Sequence, residues 1–185
     1  MEEMELLGVM VRSDLKWHSN TKMLCEKGYR RLWILRNLKR LGASSQVLVD
    51  IYFKQCRSVL ELAVPVWEPN LTKSEVTQLE RIQKTACAII LGRKYTTYKE
   101  ALEILNVQTL EARRKDICLN FGKKALKSDK FQTWFSFKKE EESVVKTRNT
   151  KPNLKLKPVV FRTQRFEKSP IAHLTNMLNN HYGNT

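Results

Sequence analysis

Thirty-four lysines and arginines against 19 acids give this 185-residue chain a formal charge of +15, a surplus that favours a polyanionic partner because neutralising phosphates releases condensed counterions. The length suits one domain with a real core plus a tail. No apolar run reaches the roughly 18 residues of a membrane span, and the start, Met1-Glu2-Glu3, is acidic rather than a secretory leader, so the expectation is an intracellular protein, nuclear or cytoplasmic, that is neither secreted nor membrane-bound.

The surplus is uneven: residues 1–17 hold two bases and four acids, 18–127 hold 21 and 10, and 128–185 hold 11 and 5. Residues 5–12 read as one short strand, with Leu7, Val9 and Val11 alternating against Gly8, Met10 and Arg12. From about Thr21 to Leu41, Leu24, Leu32, Leu35 and Leu38 recur at helical spacing, and Gly42 closes the helix. At 100° per residue the opposite arc receives Lys22, Tyr29, Arg30, Trp33, Arg36 and Arg40. Cations neutralise phosphates and exposed rings stack on bases or sugars, so this face is the first candidate for binding nucleic acid. The same pattern also suits two aromatics buried against a neighbouring helix beside ordinary solvated charges.

Ser44 or Ser45 caps a second helix through about Leu62, and Pro65 and Pro69 force a turn around Trp67. Thr72-Lys73-Ser74-Glu75 is a capping box opening a helix to Gly92, with Val76, Leu79, Ile82, Ala86, Ile89 and Ile90 on one face. A second box, Thr97 to Glu100, opens a short helix through Leu105, and Thr109 caps a fifth with Leu110, Ile117 and Phe121 inward. On that last helix Arg114 falls on the apolar arc and is expected to be structural, since a buried arginine must be paired. Arg113, Lys123 and Lys124 flank the arc and are candidates for phosphate contacts.

Beyond Lys127 the periodicity weakens and prolines and charge runs take over, so 128–168 reads as largely extended or disordered, with Trp134, Phe135 and Phe137 as a docking patch. Ser169-Pro170 then has the chemistry to start a short helix near 170–179. The expected fold is mainly α: a bundle of about five helices with a short N-terminal strand and a basic, poorly ordered C-terminal tail. Residues 1–17, 18–127 and 128–185 are its expected parts.

Cys25, Cys56, Cys87 and Cys118 stand alone, each on its own helix. Structural zinc draws ligands in close pairs, so buried thiols are the expected role and no metal site is expected. Two-metal phosphoryl transfer needs carboxylates that hold the ions about 4 Å apart. Asp14, Asp50, Asp116 and Asp129 are the only aspartates and none are adjacent, while Glu140, Glu141 and Glu142 lie in a lysine-rich charge run. No catalytic residue and no cofactor are expected, and the chain alone is not expected to be an enzyme.

Several blocks in succession carry a family resemblance. They are Leu7-Gly8-Val9 with Asp14-Leu15-Lys16-Trp17-His18; Tyr29-Arg30-Arg31-Leu32 with Leu38 and Leu41-Gly42; Ile51-Tyr52; and Val59 through Trp67. Leu79-Glu80-Arg81-Ile82-Gln83-Lys84 running to Ile89-Ile90-Leu91-Gly92, then Tyr98, Ala101-Leu102, Leu105 and Arg113-Arg114, complete them. In order and spacing they resemble the region after the palm in the reverse transcriptases of LINE-like, jockey-type retrotransposons without long terminal repeats. The resemblance implies that residues 1–17 are the end of a palm, with Leu7, Gly8 and Val9 a remnant near the primer grip, and that 18–127 is a thumb-like domain. It implies an RNA or RNA/DNA template-primer duplex as partner, together with a palm supplied in cis by the parent polymerase. Trp17 and Trp67, beside turns, are expected to be packing anchors. The competing expectations are a co-opted or relic module that binds a protein through its tail, and a decayed remnant with no selected function.

Overall fold

A computed structural model describes residues 2–136, 156–160 and 163–183. Its chain divides into two compact units, Met1–Arg114 and Lys115–Thr185. The division falls inside a helix.

The first unit opens with a hairpin instead of one strand. β1 (Glu3–Leu6) pairs antiparallel with β2 (Val9–Arg12), from Glu3 opposite Arg12 to Leu6 opposite Val9. Leu7 (φ 50°) and Gly8 (φ 83°) both take the left-handed region, which is the two-residue reversal whose twist matches the strands it joins. The expected strand 5–12 is therefore broken at its centre. The partner of its second half is the segment just before the turn. The hairpin is held to the first helix by polar ties: the Met10 amide donates to Asn20 Oδ1 at 3.1 Å, the Ser19 hydroxyl to Glu3 at 2.8 Å, and Lys27 pairs with Glu5 at 3.5 Å.

That helix, α1 (His18–Arg40), ends as its sequence predicts. The Gly42 amide donates to Lys39 O and the Ala43 amide to Leu38 O, the paired closure that a left-handed residue after the helix permits. α2 (Ser45–Ile51), a π-helical turn (Tyr52–Arg57) and α3 (Ser58–Leu60) run on without a break, with Ser44 accepting from the Val47 amide. The wider turn carries Tyr52 and Cys56 into the core. Ala63, at φ 51°, reverses the chain into the short α4 (Val64–Trp67). There Trp67 is fully buried and donates its indole N–H to Leu62 O at 2.8 Å. Trp17 is also buried, so both tryptophans are packing anchors.

α5 (Lys73–Leu91) starts from the expected capping box, in which Glu75 accepts from the Thr72 amide at 2.7 Å and Thr72 from the Glu75 amide at 3.3 Å. The second box is half made. Thr97 accepts from the Glu100 amide at the start of α6 (Tyr98–Leu105), but the Glu100 carboxylate is taken by the Thr96 hydroxyl. Thr109 caps α7 (Leu110–Leu126) through the Ala112 amide.

α1 packs on α5 at the centre of this unit, with Leu24, Leu32, Leu35, Leu60, Leu79, Ile82 and Ile90 almost wholly excluded from solvent. Gly28 sits in that contact, where a Cβ would come within 3.1 Å of Ile82 and of Leu60. The absent side chain sets how closely the helices approach.

In the second unit, Phe121, Phe131 and Trp134 form a chain of tilted rings with centroids 6.2 and 4.7 Å apart. α8 (Gln164–Glu167) precedes α9 (Pro170–Gly183), which is capped by Ser169 as expected and runs four residues past Asn179. α9 buries Ala172, Leu174 and Leu178. The Asn179 side chain bonds both ways with the Leu156 backbone, at 2.9 and 3.1 Å. Part of the stretch expected to be irregular is thus tied down, because an amide side chain can pair one extended residue as a strand would. Phe135 is buried, which removes the middle of the expected docking patch. Phe137 and the glutamate run 140–142 lie outside the described residues.

Cys56, Cys87 and Cys118 are buried and Cys25 half-buried, as a packing role requires. Burial pushes the Cys56 and Cys87 thiols up to about 11, leaving little of the reactive thiolate at neutral pH. Native chain treated with a thiol reagent at neutral pH should show, by mass mapping, labelling of Cys56 and Cys87 only as fast as it unfolds. Immediate labelling of either would contradict their placement.

Candidate nucleic-acid interface

The outward arc of α1 is the surface that the sequence singles out. Its buried residues are Asn20, Thr21, Leu24, Gly28, Leu32 and Leu35, and the opposite side carries Lys22, Tyr29, Arg30, Trp33, Arg36 and Arg40, all exposed. Trp33 is 64% exposed and Tyr29 43%. Neither ring is taken up by a neighbouring helix. Glu26, the one acid of this helix, is exposed as well.

The cations of α1 fall into two groups. Three are committed to the fold: Arg31 donates to Gln55 O at 2.8 Å, Lys39 Nζ to Ile90 O at 2.8 Å, and Lys27 pairs with Glu5. Lys22, Arg30 and Arg36 make no hydrogen bond or ion pair among the described residues, and Arg40 bonds only the Asn37 side chain of its own helix. A guanidinium carries five N–H donors, and those of Arg30 and Arg36 are not committed to the fold among the described residues, so a phosphate can take them without cost to it.

Around Trp33 the surface sinks into an open depression of about 460 Å³, lined by Trp33, Arg36, Asn37, Lys39, Arg40 and Ile89. Ile89 was expected among the inward residues of α5. It is only half-buried, because α1 covers Ile82, Ala86 and Ile90 and leaves the edge of that face open. A second depression, of about 310 Å³, has Gly8 of the hairpin turn beside Lys27 and Arg31. Of the three primer-grip candidates, Val9 is buried, while Leu7 at the tip is 91% exposed.

The α7 candidates separate. Arg113 is not free for a phosphate: its Nε reaches Glu61 at 3.1 Å, and the same carboxylate receives Arg57 at 3.0 Å. This tie between residues 52 positions apart has no mark in the local sequence. Arg114 is buried, as its place on the apolar arc implies. Lys123 is half-buried and Lys124 exposed, both in the second unit.

The aspartates of the first unit serve local structure. The Lys16 amide and the Arg12 guanidinium bond Asp14 and hold its carboxyl below the usual range, and Asp50 accepts from Gln46 at 3.4 Å.

A buried polar network joins the π-helical turn, α5, α6 and the start of α7. Tyr52 donates to Gln83 Oε1 at 2.8 Å, and Gln83 Nε2 donates to the Tyr98 hydroxyl at 2.9 Å and to Gln108 O at 2.8 Å. Tyr98 in turn donates to Glu80, whose carboxylate also accepts the Leu110 and Glu111 amides at the start of α7. Burial and the Glu80 contact push the Tyr98 phenol well above its ordinary range, so it remains a donor. Sequence reasoning assigned these residues no role. Gln83 did carry a mark, as a polar residue four after Leu79 and three before Ala86 on an apolar face.

Compared with known proteins, the chain matches no family model, no curated protein and no solved structure. No helix among the described residues is long and apolar enough to cross a membrane.

Proposed function

We propose that this chain binds RNA or an RNA/DNA template-primer duplex without regard to sequence through the outward arc of α1. It does so as the thumb-like part of a LINE-like reverse transcriptase whose palm would be supplied in cis, and it is not an enzyme on its own. The observation that carries the reading is the stripe of cations, Lys22, Arg30, Arg36 and Arg40, that the fold leaves uncommitted on one face of α1. Tyr29 and Trp33, exposed four residues apart on the same face, add an aromatic patch to the stripe. Here the surrounding charge selects a polyanion.

The apolar outer residues of the hairpin, Met4, Leu6 and Leu7, are also exposed and form a surface that a palm would cover. A protein-docking role for the tail draws less support. Phe135 is buried, Trp134 stacks on Phe131, and α9 turns its apolar residues inward.

The test is the salt dependence of duplex binding. If Lys22, Arg30, Arg36 and Arg40 each neutralise one phosphate, log K should fall against log salt with a slope between about −3 and −4. A slope shallower than about −1 would sink the reading, since fewer than two phosphates would then be engaged.

A further inference from the structure

We propose that the Trp33 depression takes unpaired nucleotides, with bases stacked on Trp33 and Tyr29 and phosphates held by Arg36 and Arg40. The proposal rests on assigning this face of α1 to nucleic acid and adds which form of strand it receives. Tyr29 and Trp33 are four residues apart, so the backbone positions that carry their rings stand about 6 Å apart along the helix axis. Phosphates of one strand in a duplex succeed each other every ~3.4 Å of axis, and each paired base has both faces covered by its neighbours. Two platforms about 6 Å apart fit a strand stretched until each base leaves its neighbour and meets a ring.

The depression has the composition that such a strand needs. Trp33 and Ile89 give it an apolar floor, and Arg36, Lys39 and Arg40 a cationic rim. Lys39 is fixed on Ile90 O and Arg40 on Asn37, so two of the three cations are already placed before a ligand arrives. Arg36 has no partner among the described residues. Charge complementarity argues against a basic peptide as the occupant, since Glu26 is the only acid that α1 offers.

Fluorescence tests this directly in the full chain. Trp17 and Trp67 are buried, whereas Trp134 is 38% exposed, so Trp134→Phe leaves Trp33 as the exposed emitter. Titration with an oligothymidylate should quench it, and a blunt RNA/DNA duplex of equal length at the same salt should quench it little. Trp33→Ala should weaken oligothymidylate binding roughly ten- to hundredfold and duplex binding less than about threefold, while Trp33→Phe restores most of the loss. Equal weakening of both ligands by Trp33→Ala, or of neither, would overturn the proposal. Trp33-dependent binding of oligothymidylate by a chain that fails to bind the duplex would support it and remove the duplex reading instead.

Discussion

Replacing Arg30 and Arg36 together by glutamate should abolish duplex binding and leave the helical content unchanged. Both side chains are exposed and make no tie among the described residues, so stability should move by no more than about 0.5 kcal/mol. Binding should respond very differently. Two phosphate contacts are lost and two repulsive charges stand in their place, for an affinity loss of at least about a hundredfold at moderate salt. Filter binding for the duplex and far-ultraviolet circular dichroism for the fold are the two readouts. Arg31 would be the wrong choice, because it holds Gln55 O and its reversal would disturb the fold as well. The control is Lys73→Glu with Arg81→Glu, which removes the same charge from the outside of α5. If that pair weakens binding as much, the effect is net charge alone and the α1 stripe loses its special place. If helicity and binding fall together in the Arg30 and Arg36 variant, the stripe was holding the fold.

How far the sequence reached depends on how local each determinant is. Helix starts and stops were legible because their chemistry sits within four residues: Thr72 with Glu75, Ser44 with Val47, Leu41-Gly42, Ser169-Pro170. The outward stripe of α1 was legible because one periodicity assigns both faces of a long helix. The hairpin was hidden by its turn residues. Leu7-Gly8 lacks the asparagine or aspartate that usually marks a left-handed pair, and four-residue strands are too short for alternation to reveal a break. The π turn at Tyr52–Arg57 leaves no pattern either, since one shifted hydrogen-bond register needs no special residue. Arg113 looked available because Glu61, its partner, is brought up by tertiary packing. Free and committed cations differ only in such long-range ties, so composition set the charge of the surface while the fold decided which charges remain available.

Gln83→Leu should destabilise the first unit by roughly 1–3 kcal/mol, through hydrogen bonds rather than volume. Leucine is close in size to glutamine and suits the surrounding apolar face, so a purely steric account predicts little change. The buried Tyr52 hydroxyl, however, would lose its acceptor, whereas half-buried Tyr98 keeps Glu80 and Gln108 is exposed. Each buried group left without a partner costs about 1–3 kcal/mol. Chemical denaturation should show a lower midpoint with an unchanged slope, since the surface exposed on unfolding is the same. Tyr52→Phe separates the two accounts. Added to Gln83→Leu it removes the stranded hydroxyl, so the double variant should be more stable than the sum of the single losses predicts, by about 1 kcal/mol. Strict additivity would mean that the two side chains do not act as one network. Because Glu80 and Tyr98 connect this network to the first amides of α7, the loss should also appear as faster hydrogen exchange at Leu110 and Glu111. The amides of α1, none of which bonds the network, should quicken only with global unfolding.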